Sequence, residues 1–384
     1  MDYIYFDNAA TSWPKPPETT AAMNRYNDIV GGNPGRSGHR LSVDAGRIVL
    51  DTRDLAAELF NVDDPFQIVF TKNATEALNL ALLGLLRKGN HVVTTSMEHN
   101  SVMRPLRYLE TQGIEVTTVP CSSQGDIDPQ LIQKSLRPDT SLIVMTHASN
   151  VTGTIMPVRE IGRIAGEHGV PFCVDAAQSA GALPIDVAEM NISLLAFTGH
   201  KSLFGPQGTG GLYIRKRLEN TIRPLMMGGT GSKSEFEVQP DFLPDKYESG
   251  TPNTPGLAGL GAGIEFIMKE GIDNIRSRET RLTKRFLEGI RNIPSVKVYG
   301  PADADSRTSV VSFNIGERMP SEVSEKLDDG FGIMSRPGLH CAPSAHTTIG
   351  TFPTGTVRFS FGFFTTEQEI DYAVKAIDKI ASVK

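Results

Sequence analysis

Residues 174–206 read VDAAQSAGALPIDVAEMNISLLAFTGHKSLFGP, and this stretch decides the fold. Asp175 follows the apolar run Val170-Pro171-Phe172-Cys173-Val174, which predicts a buried strand ending at the acid. A second apolar run, Leu194 to Phe197, leads into Thr198-Gly199-His200-Lys201. Asp175 and Lys201 therefore stand 26 residues apart (201 − 175), at the carboxyl ends of successive strands. In open α/β sheets, ligands bind at that edge. A carboxylate can keep a pyridinium nitrogen protonated, and a lysine can form a Schiff base with an aldehyde. Together they are a protein's share of pyridoxal phosphate (PLP) chemistry. An isolated acid and lysine would read as a strand end and a surface loop. With Gln178, Thr198 and His200 at their offsets, the reading is a PLP site.

The strand–helix unit repeats on the amino-terminal side. Gln67-Ile68-Val69-Phe70 predicts a strand, and Thr71 to Glu76 turns it into a helix running to about Leu86. That helix is apolar nearly all round and should be buried. Its amino end would offer free N–H groups and a positive dipole end to a phosphate, with the Thr75 hydroxyl alongside. Asn73 or Thr75 also reads as a plain helix cap. His91 to Thr95 is a strand ending in Met97-Glu98-His99-Asn100, Glu115 to Val119 is another, and Ser141 to Met145 runs into Thr146-His147-Ala148-Ser149-Asn150. Helices over 102–112 and 158–168 separate them. Such alternation implies a mainly parallel sheet with right-handed crossovers. His99, Asn150, Asp175 and Lys201 then share one edge. Each alone is explained as a polar strand end; four converging make a site.

Further upstream, an irregular arm carries Asp7-Asn8-Ala9-Ala10-Thr11 and Trp13-Pro14-Lys15-Pro16-Pro17. A short helix, a glycine-rich loop over 31–40 and a helical segment from Asp44 to Phe60 follow. Downstream, Gly205 to Gly211 reads as a loop that matches neither a P-loop nor a dinucleotide fingerprint, and 228–250 reads as an exposed excursion. Helices Leu257–Glu270 and Ile272–Ile290 mark a change of organisation. Strands over 296–299, 309–314 and 356–361, with helices over 321–328 and from Glu367, predict a small α+β unit. The expected division is an arm (1–20) packed on the small domain, a large domain (21–256), and a small carboxyl-terminal domain (257–384) carrying the loop Arg336 to Pro343.

The 384 residues carry a net charge of −6, with 39% hydrophobic and 21% charged residues. That balance argues against nucleic-acid or anionic-membrane binding. No apolar run reaches the roughly 18 residues a membrane span needs, and the start has no secretory pattern, so a cytoplasmic enzyme is expected. Cys121, Cys173 and Cys341 make neither a disulfide framework nor a CxxC site. Cys173 reads as core and Cys121 as a loop residue. Cys341, with turn formers on both sides and Arg336 and His340 nearby, stands open between a reactive and a structural thiol. His340, Cys341 and His346 give three donors on one loop without a fourth in register, so no metal is expected.

Taken together, these residues resemble the class V, fold-type I PLP enzymes, and within them the cysteine desulfurases and selenocysteine lyases of the shorter-cysteine-loop group. The resemblance spans nearly the whole chain. It is carried by Asn73-Ala74-Thr75-Glu76, Glu98-His99, Ser149 to Gly153, Val174 to Gln178, Gly199-His200-Lys201, Ser249 to Thr254 and Arg336 to Cys341. It implies an α/β fold: a large PLP-binding domain with a mainly parallel, seven-stranded sheet flanked by helices, plus the smaller α+β domain. It also implies a homodimer, with Thr251 reaching the phosphate of the other subunit.

By the same resemblance, Lys201 is the Schiff-base lysine and α-proton acceptor, Asp175 the partner of the pyridine nitrogen, and Gln178 the partner of the ring hydroxyl. His99 stacks on the ring and shuttles protons. Ala74, Thr75, Thr198 and His200 hold the phosphate. Asn150 and Arg358 hold the substrate carboxylate, with Arg336 a further candidate in that region, and Cys341 is the nucleophile. The implied reaction takes sulfur from L-cysteine as a persulfide on Cys341, releases L-alanine and passes the sulfur to an acceptor protein, as iron–sulfur cluster assembly requires. Three features depart from close relatives: Pro337 and Leu339, a longer stretch between Cys341 and Arg358, and a short amino-terminal arm. Activation of Cys341 is accordingly expected from His340 and Arg336. The rival readings are a selenocysteine lyase acting on L-selenocysteine, a cysteine sulfinate desulfinase, a class V aminotransferase and a non-catalytic scaffold.

Overall fold

A computed structural model describes residues 3–35 and 37–382. In chain order its strands are β1 (Ile4–Tyr5), β2 (Ile68–Thr71), β3 (His91–Thr95), β4 (Glu115–Val119), β5 (Thr140–Thr146), β6 (Phe172–Asp175), β7 (Leu194–Thr198), β8 (Gly210–Ile214), β9 (Val296–Tyr299), β10 (Val310–Ile315), β11 (Ile333–Met334), β12 (Arg336–Gly338) and β13 (Thr356–Ser360). Its α-helices are α1 (Pro17–Arg25), α2 (Arg40–Phe60), α3 (Ala74–Leu85), α4 (Asn100–Glu110), α5 (Pro129–Ser135), α6 (Val158–Glu167), α7 (Thr254–Glu270), α8 (Ile272–Ile290), α9 (Pro320–Phe331), α10 (Pro343–Thr348) and α11 (Glu367–Ser382).

Seven strands form the main sheet in the order β2-β8-β7-β6-β5-β3-β4. All neighbours are parallel except β8, which runs against both β2 and β7. Alternation along each strand divides the core between the two faces. Val92, Leu142, Val144, Cys173, Leu194 and Ala196 meet α3 and α4 on one side. Val93, Ile143, Met145, Val174, Leu195 and Phe197 meet α2, α6 and α7 on the other. A parallel sheet covered on both faces demands such apolar runs, and the expected α/β architecture is borne out.

The strand β8 begins within the glycine-rich stretch Gly205 to Gly211, at Gly210. Its glycines are there because a Cβ at Gly210 would strike Asn73 and the Phe197 carbonyl, and one at Gly211 would strike the Phe197 ring. Close approach of backbones, not a phosphate, explains them. Also absent from the sequence reading are β1, α5, β11, β12 and α10, all short.

The smaller sheet is antiparallel, ordered β12-β13-β10-β9. One face packs on α8, α9 and α11 around an aromatic cluster of Phe6, Phe286, Phe313, Phe359 and Phe361, with ring centroids 5.0–6.1 Å apart. Phe6 belongs to the amino-terminal arm, whose β1 pairs in parallel with β11. The core of the main sheet extends through Leu257, Leu260, Ile264 and Ile267 of α7, past the expected boundary at 256/257.

The other face of the small sheet is polar and turned toward the main sheet. Val357 and Phe359 of β13 enter the aromatic core, so Thr356, Arg358 and Ser360 must point the opposite way. Ser312 of β10 donates to the Val151 carbonyl at 2.6 Å, and Ser360 Oγ accepts from the Ala9 amide at 2.8 Å. Period-two alternation thereby delivers Arg358 to the edge where β5, β6 and β7 end.

Candidate active site

Pocket residues converge where the sequence places them. Asn73, Ala74, Thr75, His99, Asn150, Asp175, Gln178, Thr198, His200 and Lys201 line one pocket of about 490 Å³ at the carboxyl edge of the main sheet. Asp175 and Thr198 are the last residues of β6 and β7. At the start of α3, the Asn73 side chain accepts from the Glu76 amide at 3.0 Å. The amides of Ala74 and Thr75, in the same first turn, have no carbonyl within the helix to bond.

Burial governs the electrostatics. Lys201 is half-buried, and desolvation of its amine lowers the ammonium to about 8 against the opposing pull of Asp175. Burial likewise raises the Asp175 carboxyl, only partly offset by the Ala177 amide at 2.9 Å and by Lys201. His99 caps α4: its Nδ1 accepts from the Ser101 amide at 3.0 Å, so the neutral ring carries its proton on Nε2. Burial and then Lys201 push this imidazole down to about 4. Ser101 Oγ continues the chain to Thr75 Oγ1 at 2.7 Å.

A phosphorylated pyridinium aldehyde fits this donor set. Thr198 Oγ1 and His200 Nδ1 belong to residues lining the pocket and are buried without hydrogen-bond partners among the described residues. Buried polar groups normally find partners, and a phosphate beside the α3 amino end would supply them. A ring N–H⁺ would supply the counter-charge that Asp175 needs, and an aldehyde the partner for Lys201. Thr251 is not in this pocket; it lies exposed after Gly250, which has φ +94°.

Arg358 is buried, with Nη1 donating to the Asn150 carbonyl at 3.1 Å and Nη2 paired with Asp7 Oδ1 at 2.7 Å. Its Nε is buried without a partner among the described residues, and Arg358 itself is not among the residues that line the Lys201 pocket. The Asn150 side-chain amide donates to the His340 carbonyl at 2.7 Å, so Asn150 also ties down the cysteine loop.

Cys341 is the exposed thiol of the three, lining a cleft with Thr75, His99, Ser101 and Arg104 on the outer side of His99. Burial raises the thiols of Cys121, to about 11, and of Cys173. His340 and Cys341 both adopt left-handed backbone, φ +50° and +58°. Such conformations cost about 1–3 kcal/mol each. The turn is held by the Asn150 bond, by Asn100 N–H donating to the Cys341 carbonyl at 2.8 Å, and by Ala342 N–H donating to the Leu339 carbonyl at 2.8 Å. Arg336 Nη2 stands 3.6 Å from Cys341 Sγ. The expectation that His340 shares in activation is corrected: its ring turns inward, bonding the Arg336 carbonyl and His346.

Sequence reasoning passed over the arm's role in the site. Besides the Asp7–Arg358 pair, the Ala9 carbonyl accepts from Gln178 Nε2 at 3.0 Å. The His200 carbonyl, one residue before Lys201, accepts from Thr11 Oγ1, the Ser12 amide and Lys15 Nζ at 3.0–3.1 Å. The signal was the polar string Asp7 to Thr11, in a segment lacking any helical or strand period of its own.

Behind the pocket, Glu98 is fully buried, with Oε1 accepting from Thr95 Oγ1 at 2.5 Å. Burial, and to a lesser degree Asp175, push it up to about 8 from an ordinary 4.5. A folded-state value above the unfolded one means that this group's stabilising contribution is full below pH 4.5 and is lost as pH rises toward 8. Glu98→Gln is therefore expected to gain melting temperature relative to wild type between about pH 5 and about pH 8. An equal offset at both pH values in thermal melts would contradict the buried neutral acid.

The class-V aminotransferase family model matches residues 4–373. A probable cysteine desulfurase of Methanothermobacter thermautotrophicus is 36% identical over 387 residues, covering 100% of this chain and 96% of that protein. Cysteine desulfurase IscS of Vibrio campbellii is 35% identical, covering 97% and 91%. The apo structure of the cysteine desulfurase from Thermococcus onnurineus NA1 superposes with a TM-score of 0.92 at 36% identity, covering 99% and 95%. With a family match over nearly the whole length and full-length relatives above 30% identity, this chain belongs to the class-V aminotransferase family.

Proposed function

We propose that the protein is a PLP-dependent cysteine desulfurase that converts L-cysteine to L-alanine and takes the sulfur as a persulfide on Cys341. The observation that carries this reading is an exposed thiol on a left-handed turn beside Arg336, in a cleft that shares Thr75, His99 and Ser101 with the pocket of Lys201 and Asp175. An aminotransferase has no use for such a thiol. PLP, when bound, supplies an electron-poor ring that accepts the electron pair released at the substrate α-carbon.

The chain's own residues divide the remaining work. Asp175 would keep the ring nitrogen protonated, and Thr75, Thr198, His200 and the α3 amino end would hold the phosphate. Arg358 and Asn150 orient the substrate carboxylate, for which a guanidinium is well shaped. Lys201 Nζ, whose ammonium is lowered to about 8, would take the α-proton, and His99 Nε2, which carries the proton of the neutral ring, would move protons within the same pocket. Cys341 Sγ, as thiolate, bonds to the substrate sulfur while the substrate Cβ–S bond breaks. That bond's electron pair stays on carbon, which is protonated and leaves as L-alanine. Arg336 Nη2, 3.6 Å from Sγ, is the side-chain donor that faces the thiol.

The reading includes a homodimer, with exposed Thr251 serving the neighbouring pocket and exposed Met227, Phe236 and Val238 offering apolar area to a second copy. Sulfur then passes to an acceptor protein at the open cleft. Among the described residues, no helix is long and apolar enough to cross a membrane.

Alanine release is expected to be faster from L-cysteine, with a reducing thiol present, than from L-cysteine sulfinate. Preference for the sulfinate would overturn the reading in favour of a desulfinase, and strict preference for L-selenocysteine would overturn it in favour of a lyase.

A further inference from the structure

His346 has no part in the chemistry above, yet it is completely buried within α10, five residues beyond the nucleophile. Its Nε2 lies 3.2 Å from His340 Nδ1, and its Nδ1 lies 2.7 Å from Thr351 Oγ1. His340 Nε2 in turn lies 2.9 Å from the Arg336 carbonyl.

The proton positions in this chain follow from one fact: a carbonyl oxygen can only accept. His340 Nε2 must therefore carry hydrogen, and in a neutral ring its Nδ1 is then an acceptor. His346 Nε2 must donate to it, which leaves His346 Nδ1 to accept from the Thr351 hydroxyl. The bonds run in one direction, from Thr351 through His346 and His340 to the Arg336 backbone. The charged groups facing His340 are Arg336 and Arg358, and both oppose a proton on its ring. Burial keeps both imidazoles neutral.

The last two members of this chain, His340 and Arg336, both reach the nucleophile. Arg336 contributes its carbonyl to His340 and its guanidinium to Cys341 Sγ. His340 contributes its ring to the chain, and its left-handed backbone leads directly into that of Cys341. We propose that His346 is a positioning residue for Cys341: its directional hydrogen bond to His340 locks the left-handed His340–Cys341 turn and holds Arg336 against the thiol. The inference rests on the desulfurase reading for its catalytic consequence. The geometric claim, that Cys341 is held through His346, can be tested without turnover.

The test compares wild type with His346→Leu, His346→Gln and Thr351→Val in the PLP-loaded protein. One readout is the rate of Cys341 alkylation by iodoacetamide. The other is kcat and KM for L-cysteine. Glutamine can place an N–H donor where His346 Nε2 stands; leucine cannot. Loss of one buried hydrogen bond predicts about 5- to 20-fold slower alkylation in His346→Leu. A matching fall in kcat at unchanged KM, near-complete rescue in His346→Gln and a smaller effect in Thr351→Val are also expected. Should His346→Leu fail to fold, the glutamine and Thr351→Val variants carry the comparison. Unchanged alkylation in His346→Leu, or in Thr351→Val where His346→Leu does not fold, would overturn the inference, because His346 would then be a satisfied core histidine. Slowed alkylation with unchanged kcat would keep the positioning of Cys341 but count against its use as nucleophile, separating the two claims.

Discussion

Lys201→Ala is expected to form alanine from L-cysteine at least about 10³-fold more slowly than wild type, since it removes the covalent anchor and the proton acceptor together. The site is built around this amine. Its ammonium is lowered to about 8 by burial, and the residue before it is held through the His200 carbonyl by Thr11, Ser12 and Lys15 of the amino-terminal arm. The variant should also lose the visible absorbance of bound PLP during dialysis, while the pocket's phosphate and ring contacts still allow weak, reversible binding. A fold loss independent of the amine would show as a lowered melting temperature, so an unchanged thermal melt is expected alongside the loss of activity. Activity within tenfold of wild type would contradict the role given to Lys201.

Cys341→Ser is the second large effect. Serine preserves the size of the side chain and the left-handed turn, and Arg336 remains beside it, but a hydroxyl at neutral pH is neither ionised nor able to accept sulfur. Sulfide release from L-cysteine should fall by more than about 100-fold. Binding of L-cysteine, followed as a change in the absorbance of bound PLP, should persist, because Arg358, Asn150 and Lys201 are untouched. That split between retained binding and lost sulfur transfer separates a nucleophile from a residue that merely shapes the pocket. Full desulfurase activity in the variant would move the reading toward a mechanism that does not depend on the thiol.

The parts of the fold legible in the sequence are those set by local apolar runs. The runs before Asp175, Thr198, His99 and Asn150 end strands of one sheet, and side chains at a shared edge need no long-range knowledge to converge. Gly210 and Gly211 conceal β8, because glycine chosen for close packing against Asn73 and Phe197 looks the same as glycine chosen for a loop. Arg358 was reached by resemblance, although the alternation Thr356-Val357-Arg358-Phe359-Ser360 already places it opposite the aromatic core. The pairing of Asp7 with Arg358 joins residues 351 positions apart, and no local pattern announces it. His340 misled for a related reason. Adjacency to Cys341 in sequence suggests contact, but the left-handed turn sends its ring inward and leaves the thiol to Arg336.

The central claim is that Cys341 takes sulfur from the substrate, and the mass of the Cys341-bearing peptide tests it most directly. After a brief exposure of the PLP-loaded protein to L-cysteine without reductant, that peptide should gain one sulfur atom, matched by one alanine released per site, and lose it again on treatment with a reducing thiol. Alanine formed at that stoichiometry with no sulfur added to Cys341 would contradict the account.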